Sequence, residues 1–130
     1  MSRFLKPTTT FLNLRRLFNV TLEEFEAHRR RGTLIVDVRE PKELEEIGQV
    51  PGAINIPLGF VEQAFAMDKA EFKAIVGCSK PQPEDPVVFL CMKGIRAKTA
   101  KDVVDLKYGF KNTLVYPGSF TEWIAKKEEK

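Results

Sequence analysis

Val87-Val88-Phe89-Leu90-Cys91-Met92-Lys93-Gly94-Ile95-Arg96-Ala97 is the stretch that decides the fold. Four apolar residues stop at Cys91, a short loop holding Gly94 follows, and an amphipathic run begins near Arg96. This pattern predicts a buried strand that hands a thiol to the first turn of a helix. The leading amides of a helix have no intrahelical partner and carry the positive end of its dipole. A cysteine placed there is favoured as the thiolate, and the same amides take up a small anion. The expectation is a nucleophile, Cys91, inside a cup formed by Met92, Lys93, Gly94, Ile95, Arg96 and Ala97.

Outward from this stretch, the chain alternates between strand and helix signals. Thr21 with Glu24 three residues on predicts a capping box and a helix ending near Gly32. Residues 34–39 read as a strand, continuous and aliphatic at its start as in parallel sheets covered on both faces. Pro41 suits the first turn of a short helix that stops at Gly48, and 53–56 is a short strand ended by Pro57. Residues 60–77 read as helical with a break at Met67-Asp68, and three prolines make 80–86 a loop. In the helix after Cys91, Ala100, Val103, Val104 and Lys107 form one buried stripe, with Gly109 at its end. Residues 113–116 are a last strand, and 119–126 a last helix with Phe120, Trp123 and Ile124 inward. Such alternation predicts an α/β domain: a parallel sheet with helices on both faces, its ligand at the carboxyl ends of the strands.

The 130 residues, 43% hydrophobic and 30% charged, suit one globular domain. Only two cysteines, Cys78 and Cys91, and one histidine, His28, are present, without a Cys-x-x-Cys pair. The expectation is therefore no disulfide framework, no metal and no cofactor, in a reducing compartment. No run approaches the ~20 apolar residues of a membrane helix. Arg3, Lys6, Arg15 and Arg16 give residues 1–20 a charge of +4 with no acid, and the total of +3 leaves 21–130 at −1. The body carries no basic stripe for nucleic acid. Segment 1–19 is basic, acid-free and hydroxyl-rich, with Phe11, Leu14 and Phe18 at helical spacing, a composition like that of a mitochondrial transit peptide. The alternative is a flexible basic tail or a short packing helix on a cytoplasmic protein. The domain itself is expected over 20–130.

Three motifs carry a family resemblance over about 18–126: Asp37-Val38-Arg39-Glu40-Pro41, the run from Gly48 to Pro57 (Gly-Gln-Val-Pro-Gly-Ala-Ile-Asn-Ile-Pro), and the Cys-x-x-Gly-x-Arg loop of Cys91, Gly94 and Arg96. With them the chain resembles a single-domain rhodanese, a thiosulfate sulfurtransferase. The helical insert at 60–77, followed by the proline-rich loop, resembles the small eukaryotic thiosulfate:glutathione sulfurtransferase and the insect heat-shock-locus proteins of this family. The resemblance implies a rhodanese-like fold with a central five-stranded parallel sheet. It also implies a persulfide on Cys91, ping-pong transfer from thiosulfate to a thiol such as glutathione, and a monomer. Three positions depart from the family pattern. Gln49 replaces a His, Tyr116-Pro117-Gly118 replaces Gly-Gly, and Ala97 replaces Ser or Thr.

Loop length separates the reactions. Cdc25-type phosphatases and arsenate reductases, which are related, place five residues between cysteine and arginine, whereas four separate Cys91 from Arg96. The shorter cup suits a single sulfur, and phosphatase chemistry is the lesser alternative. Further alternatives are a persulfide carrier and a non-catalytic interaction module, although modules of that kind commonly lack the cysteine. Lys93 is placed to attract a dianion. Arg96 either binds anion or ties the loop to a carboxylate such as Asp37. Asp37 and Arg39 read as structural support, Met92 and Ile95 as an apolar rim, Cys78 as packing and His28 as solvated.

Overall fold

The computed structural model describes residues 18–129; the segment read as a targeting signal lies outside them, apart from Phe18 and Asn19. Thr21 caps helix α1 (Leu22–Arg31) through the anticipated box: its Oγ1 accepts the Glu24 N–H at 3.1 Å, and its own N–H donates to the Glu24 carboxylate at 2.8 Å. The chain continues through β1 (Leu34–Asp37), α2 (Pro41–Ile47), β2 (Ile54–Asn55), α3 (Leu58–Ala66) and α4 (Lys69–Val76). It ends with β3 (Val87–Leu90), α5 (Ile95–Tyr108), β4 (Thr113–Val115) and α6 (Ser119–Glu128). The break between α3 and α4 falls at Met67-Asp68, where the Asp68 carboxylate accepts the Glu71 N–H at 2.8 Å.

All pairings between strands are parallel, in the order β2-β1-β3-β4, with Leu34 opposite Val87 and Asp37 opposite Leu90. The anticipated fifth strand is absent from the described residues, and the sheet has four. On the side of β4 away from β3, the described residues add a single bridge, Asn19 to Val115, with Val20 N–H to Val115 C=O at 2.8 Å. The reason is local: Thr21 already caps α1, so the chain turns helical before a ladder can lengthen.

Strand alternation divides the core in two. Val36, Val87 and Phe89 face α3, α4 and α5, meeting Phe65, Phe72 and Val104. Ile35, Val88 and Leu90 face α1 and α6, meeting Phe25, Tyr116, Phe120 and Trp123. Trp123 also donates from Nε1 to Glu26 at 2.7 Å, tying α6 to α1. The buried stripe of α5 is Ala97, Ala100, Lys101 and Val104, and not the one anticipated: Val103 is half-buried and Lys107 is exposed, paired with Glu62 at 3.0 Å. Lys101 tolerates burial because Asp105 (2.6 Å) and Thr113 Oγ1 (3.0 Å) take its ammonium protons. No helix among the described residues is long and apolar enough to cross a membrane.

The end of β1 is fixed by a buried ion pair. Asp37 and Arg39 are both fully buried, and the carboxylate accepts the Arg39 main-chain N–H (3.0 Å), Nε (3.0 Å) and Nη2 (2.7 Å). Arg39 also donates to the Gly48 carbonyl at 3.0 Å, and its guanidinium lies 4.4 Å from the Phe120 ring centroid. Removing one partner leaves the other charge buried and unpaired. Asp37→Asn is therefore expected to lower unfolding free energy by about 3–5 kcal/mol, read as a lower urea midpoint. A change below about 1 kcal/mol, the size of an exposed pair, contradicts this reading.

Candidate active site

β1 and β3 lie side by side, but their chains leave in opposite directions, toward β2 at one edge and β4 at the other. A crevice opens at the carboxyl ends of two strands related in this way. Cys91 stands there, one residue past β3 and 1% exposed. The Val38 N–H donates to the Leu90 carbonyl at 2.9 Å, so the two central strands stay joined up to the crevice.

The loop from Cys91 to Gly94 folds its main chain around the sulfur. The Gly94 N–H donates to Cys91 Sγ at 3.0 Å. Gly94 has φ 99°, a left-handed conformation that suits glycine. A side chain there would have no room either, since its Cβ would fall 2.7 Å from the Pro117 carbonyl oxygen. The Gly94 carbonyl accepts the Lys98 N–H at 3.2 Å, the first bond of α5. The amides of Ile95, Arg96 and Ala97 precede that bond and receive no side-chain cap.

A single amide, that of Gly94, donates to the sulfur; the Cys91 amide is turned away and donates to Ser119 Oγ at 3.1 Å. Ala97 is fully buried in the core and presents no side chain to the crevice. Met92 is half-buried against the α1/α6 side and forms no open rim, whereas Ile95 is 80% exposed. Lys93 is exposed and makes no ion pair among the described residues.

Arg96 ties the loop down, but to a carboxylate that sequence reasoning missed. Its two terminal nitrogens donate to Glu43 Oε1 and Oε2 at 2.7 and 3.0 Å, joining the first turn of α5 to α2 across the crevice. Asp37, the anticipated partner, is taken by Arg39. Glu43 Oε1 also accepts the Glu40 N–H at 2.8 Å. The Arg96 hydrogen bonds, against a smaller effect of burial, hold the Glu43 carboxyl down at about 2. The Arg96 guanidinium is held charged first by those bonds and then by the charge of Glu43, with lesser contributions from Cys91 and Asp37. Nothing in the local sequence marks Glu43 beyond an acid in a helix's first turn.

The three departures from the family pattern find their places. Gln49 is exposed. Pro117 fills the space beside Gly94, and Gly118 leaves room for the Glu122 side chain, whose carboxylate accepts the Tyr116 hydroxyl at 2.7 Å. Burial and that bond hold the Tyr116 phenol neutral. Ala97 lies in the core. Asn55 donates to the carbonyls of Asp37 and Arg39, both at 2.9 Å, fixing the turn after β1.

Cys78 lies beside Gly32, Thr33 and Leu34, at the amino ends of the strands and away from Cys91, and burial pushes its thiol up. His28, anticipated as solvated, is half-buried and bonded to Thr33 Oγ1 at 2.9 Å. Burial, and then the Arg31 charge, lower its pKa. Among the described residues no cluster of His, Cys, Asp and Glu is arranged to hold a metal ion.

Comparison with known proteins agrees with this architecture. Residues 21–126 match the family described as the rhodanese-like domain. The chain is 45% identical over 93 residues to a mitochondrial thiosulfate sulfurtransferase of Saccharomyces cerevisiae, covering 72% of this chain and 61% of that protein. It thus spans less than two thirds of that relative. It is 36% identical over 93 residues to the thiosulfate:glutathione sulfurtransferase of Homo sapiens, covering 71% of this chain and 79% of that one. The solved human single-domain sulfurtransferase superposes with a TM-score of 0.77 at 34% identity, covering 83% of this chain and 96% of that chain.

The Glu43–Arg96 pair carries a signature in acid. A carboxyl held below its ordinary 4.5 contributes stability that is complete above that value and lost as pH falls toward about 2. Glu43→Gln is expected to be less stable than the wild type at neutral pH, with the gap closing over that window in thermal unfolding. A gap that does not change with pH contradicts the pairing.

Proposed function

The chain belongs to the rhodanese-like domain family, and from that premise we propose that it is a thiosulfate sulfurtransferase that carries sulfane sulfur on Cys91 to a thiol such as glutathione. The observation that carries this reading is the Gly94 N–H directed at Cys91 Sγ at 3.0 Å, ahead of the uncapped amides of α5. Main-chain N–H donors at such a position hydrogen-bond an added sulfur without a general base. The single histidine is engaged with Thr33, at the far end of the sheet. The names of the yeast and human relatives agree with this donor and acceptor.

In the first half-reaction the Cys91 thiolate attacks the sulfane sulfur of thiosulfate. A new S–S bond forms, the S–S bond of thiosulfate breaks, and sulfite departs with its electron pair. The terminal sulfur of the resulting persulfide is an anion held by the loop amides. In the second half-reaction an acceptor thiolate attacks that sulfur and leaves as the acceptor persulfide, returning Cys91 as thiolate. Lys93, exposed and in no ion pair among the described residues, draws the thiosulfate dianion toward the crevice. Gly94 and Ile95 border the incoming sulfur, and Arg96 holds the loop in place through Glu43.

The four-residue spacing from Cys91 to Arg96, against five in the related phosphatases, argues against phosphatase chemistry, and Glu43 takes one proton from each terminal nitrogen of Arg96. A mitochondrial location is supported by the composition of segment 1–19 and by the mitochondrial relatives of Saccharomyces cerevisiae and Schizosaccharomyces pombe. Initial rates with thiosulfate and glutathione both varied are expected to give parallel double-reciprocal lines. Cys91→Ser is expected to be inactive, and aryl phosphates to remain uncleaved. Intersecting lines, or activity retained in Cys91→Ser, contradict the assignment.

A further inference from the structure

We propose that Ser119 is the positioning residue that sets the reactive orientation of Cys91, an inference that rests on the sulfur-transfer reading above. Ser119 is the one non-glycine residue with positive φ (55°) among the described residues, and it is fully buried. An L-residue adopts this conformation at a cost, and such conformations persist only where the surroundings impose them, most often at functional sites.

What the strained backbone secures is visible in two hydrogen bonds. Ser119 Oγ donates its single proton to the Tyr116 carbonyl at 2.8 Å. A carbonyl only accepts and a main-chain N–H only donates, so the hydroxyl proton is committed. The oxygen is thereby left as a fixed acceptor for the Cys91 N–H at 3.1 Å. The next residue, Phe120, donates its N–H to the Cys91 carbonyl at 3.0 Å. Cys91 is thus held at both its main-chain groups by the first turn of α6, and rotation about its Cα–Cβ bond is the freedom left to the sulfur. The Gly94 N–H then selects the rotamer. The Ser119 hydroxyl also keeps the Cys91 amide from turning toward the sulfur, so the donor at the sulfur is the Gly94 amide on the side from which α5 presents its own.

Two substitutions separate positioning from simple support of the fold. Ser119→Ala removes the acceptor and keeps the strained backbone; Ser119→Gly removes the acceptor and relieves the strain. The measurement is single-turnover sulfite release on mixing each protein with thiosulfate, alongside thermal unfolding of each. Both variants are expected to release sulfite about 10–100-fold more slowly at saturating thiosulfate. The half-saturating concentration should change little, and Ser119→Gly should unfold at the higher temperature of the two. A wild-type rate in either variant, or a Ser119→Gly rate restored to within about 3-fold of wild type while Ser119→Ala stays slow, overturns the positioning role alone. Wild-type protein that releases no sulfite overturns the sulfur-transfer reading and this inference with it.

Discussion

The direct parallel pairing of β1 with β3 is the constraint from which the rest of the structure follows. Because the chain leaves these neighbours toward opposite edges, no helix crosses directly over their carboxyl ends, and a crevice opens there. Each strand delivers its own element to that crevice. β1 ends in the Asp37–Arg39 pair and leads into α2 with Glu43, while β3 ends at Cys91 and leads into α5 with Arg96. The Glu43–Arg96 pair joins the two elements across the gap. The pair is half-buried and bidentate, and its contribution to stability is the pH-dependent one that the lowered Glu43 carboxyl implies. Its value lies in geometry, since it holds the first turn of α5 where the loop needs it.

Main-chain groups make the site, and side chains hold the main chain in place. One loop amide faces the sulfur, while the first turn of α6 accepts from and donates to the residues that begin the loop. Thr121 donates to the Met92 carbonyl from both its N–H and its hydroxyl, at 3.1 and 2.9 Å. Pro117 closes the space beside Gly94. This arrangement needs no ionisable partner for Cys91, which fits a chain whose one histidine is engaged elsewhere. It also accounts for the placement of the polar residues buried near the site: Asp37, Arg39 and Ser119 are fully buried, and each supports backbone at the crevice.

Features encoded locally were legible in the sequence. The capping box of Thr21, the break at Met67-Asp68, the start and stop of α2, and the placing of Cys91 at a strand end all depend on neighbours within a few residues. The fold class followed from the alternation of those signals. Features set by tertiary contact were not legible. Arg96 finds Glu43, 53 residues away, and no local pattern distinguishes that acid from Glu40 or Glu45. Ser119 is an unremarkable serine until its φ is known. The inward stripe of α5 was misplaced because burial of Lys101 depends on Asp105 and on Thr113 of another element, while Lys107 is drawn outward by Glu62. The fifth strand came from family resemblance, and here it amounts to one bridge beside β4.

The central claim is that main-chain amides receive the transferred sulfur on Cys91, and its most direct test is a crystal structure of the protein after treatment with thiosulfate in the absence of an acceptor. The account predicts density for one additional sulfur bonded to Cys91 Sγ, within hydrogen-bonding distance of the amides from Gly94 to Ala97, with the Cys91 N–H still on Ser119. An unmodified thiol, or an added sulfur lying outside the loop with those amides directed elsewhere, would contradict it.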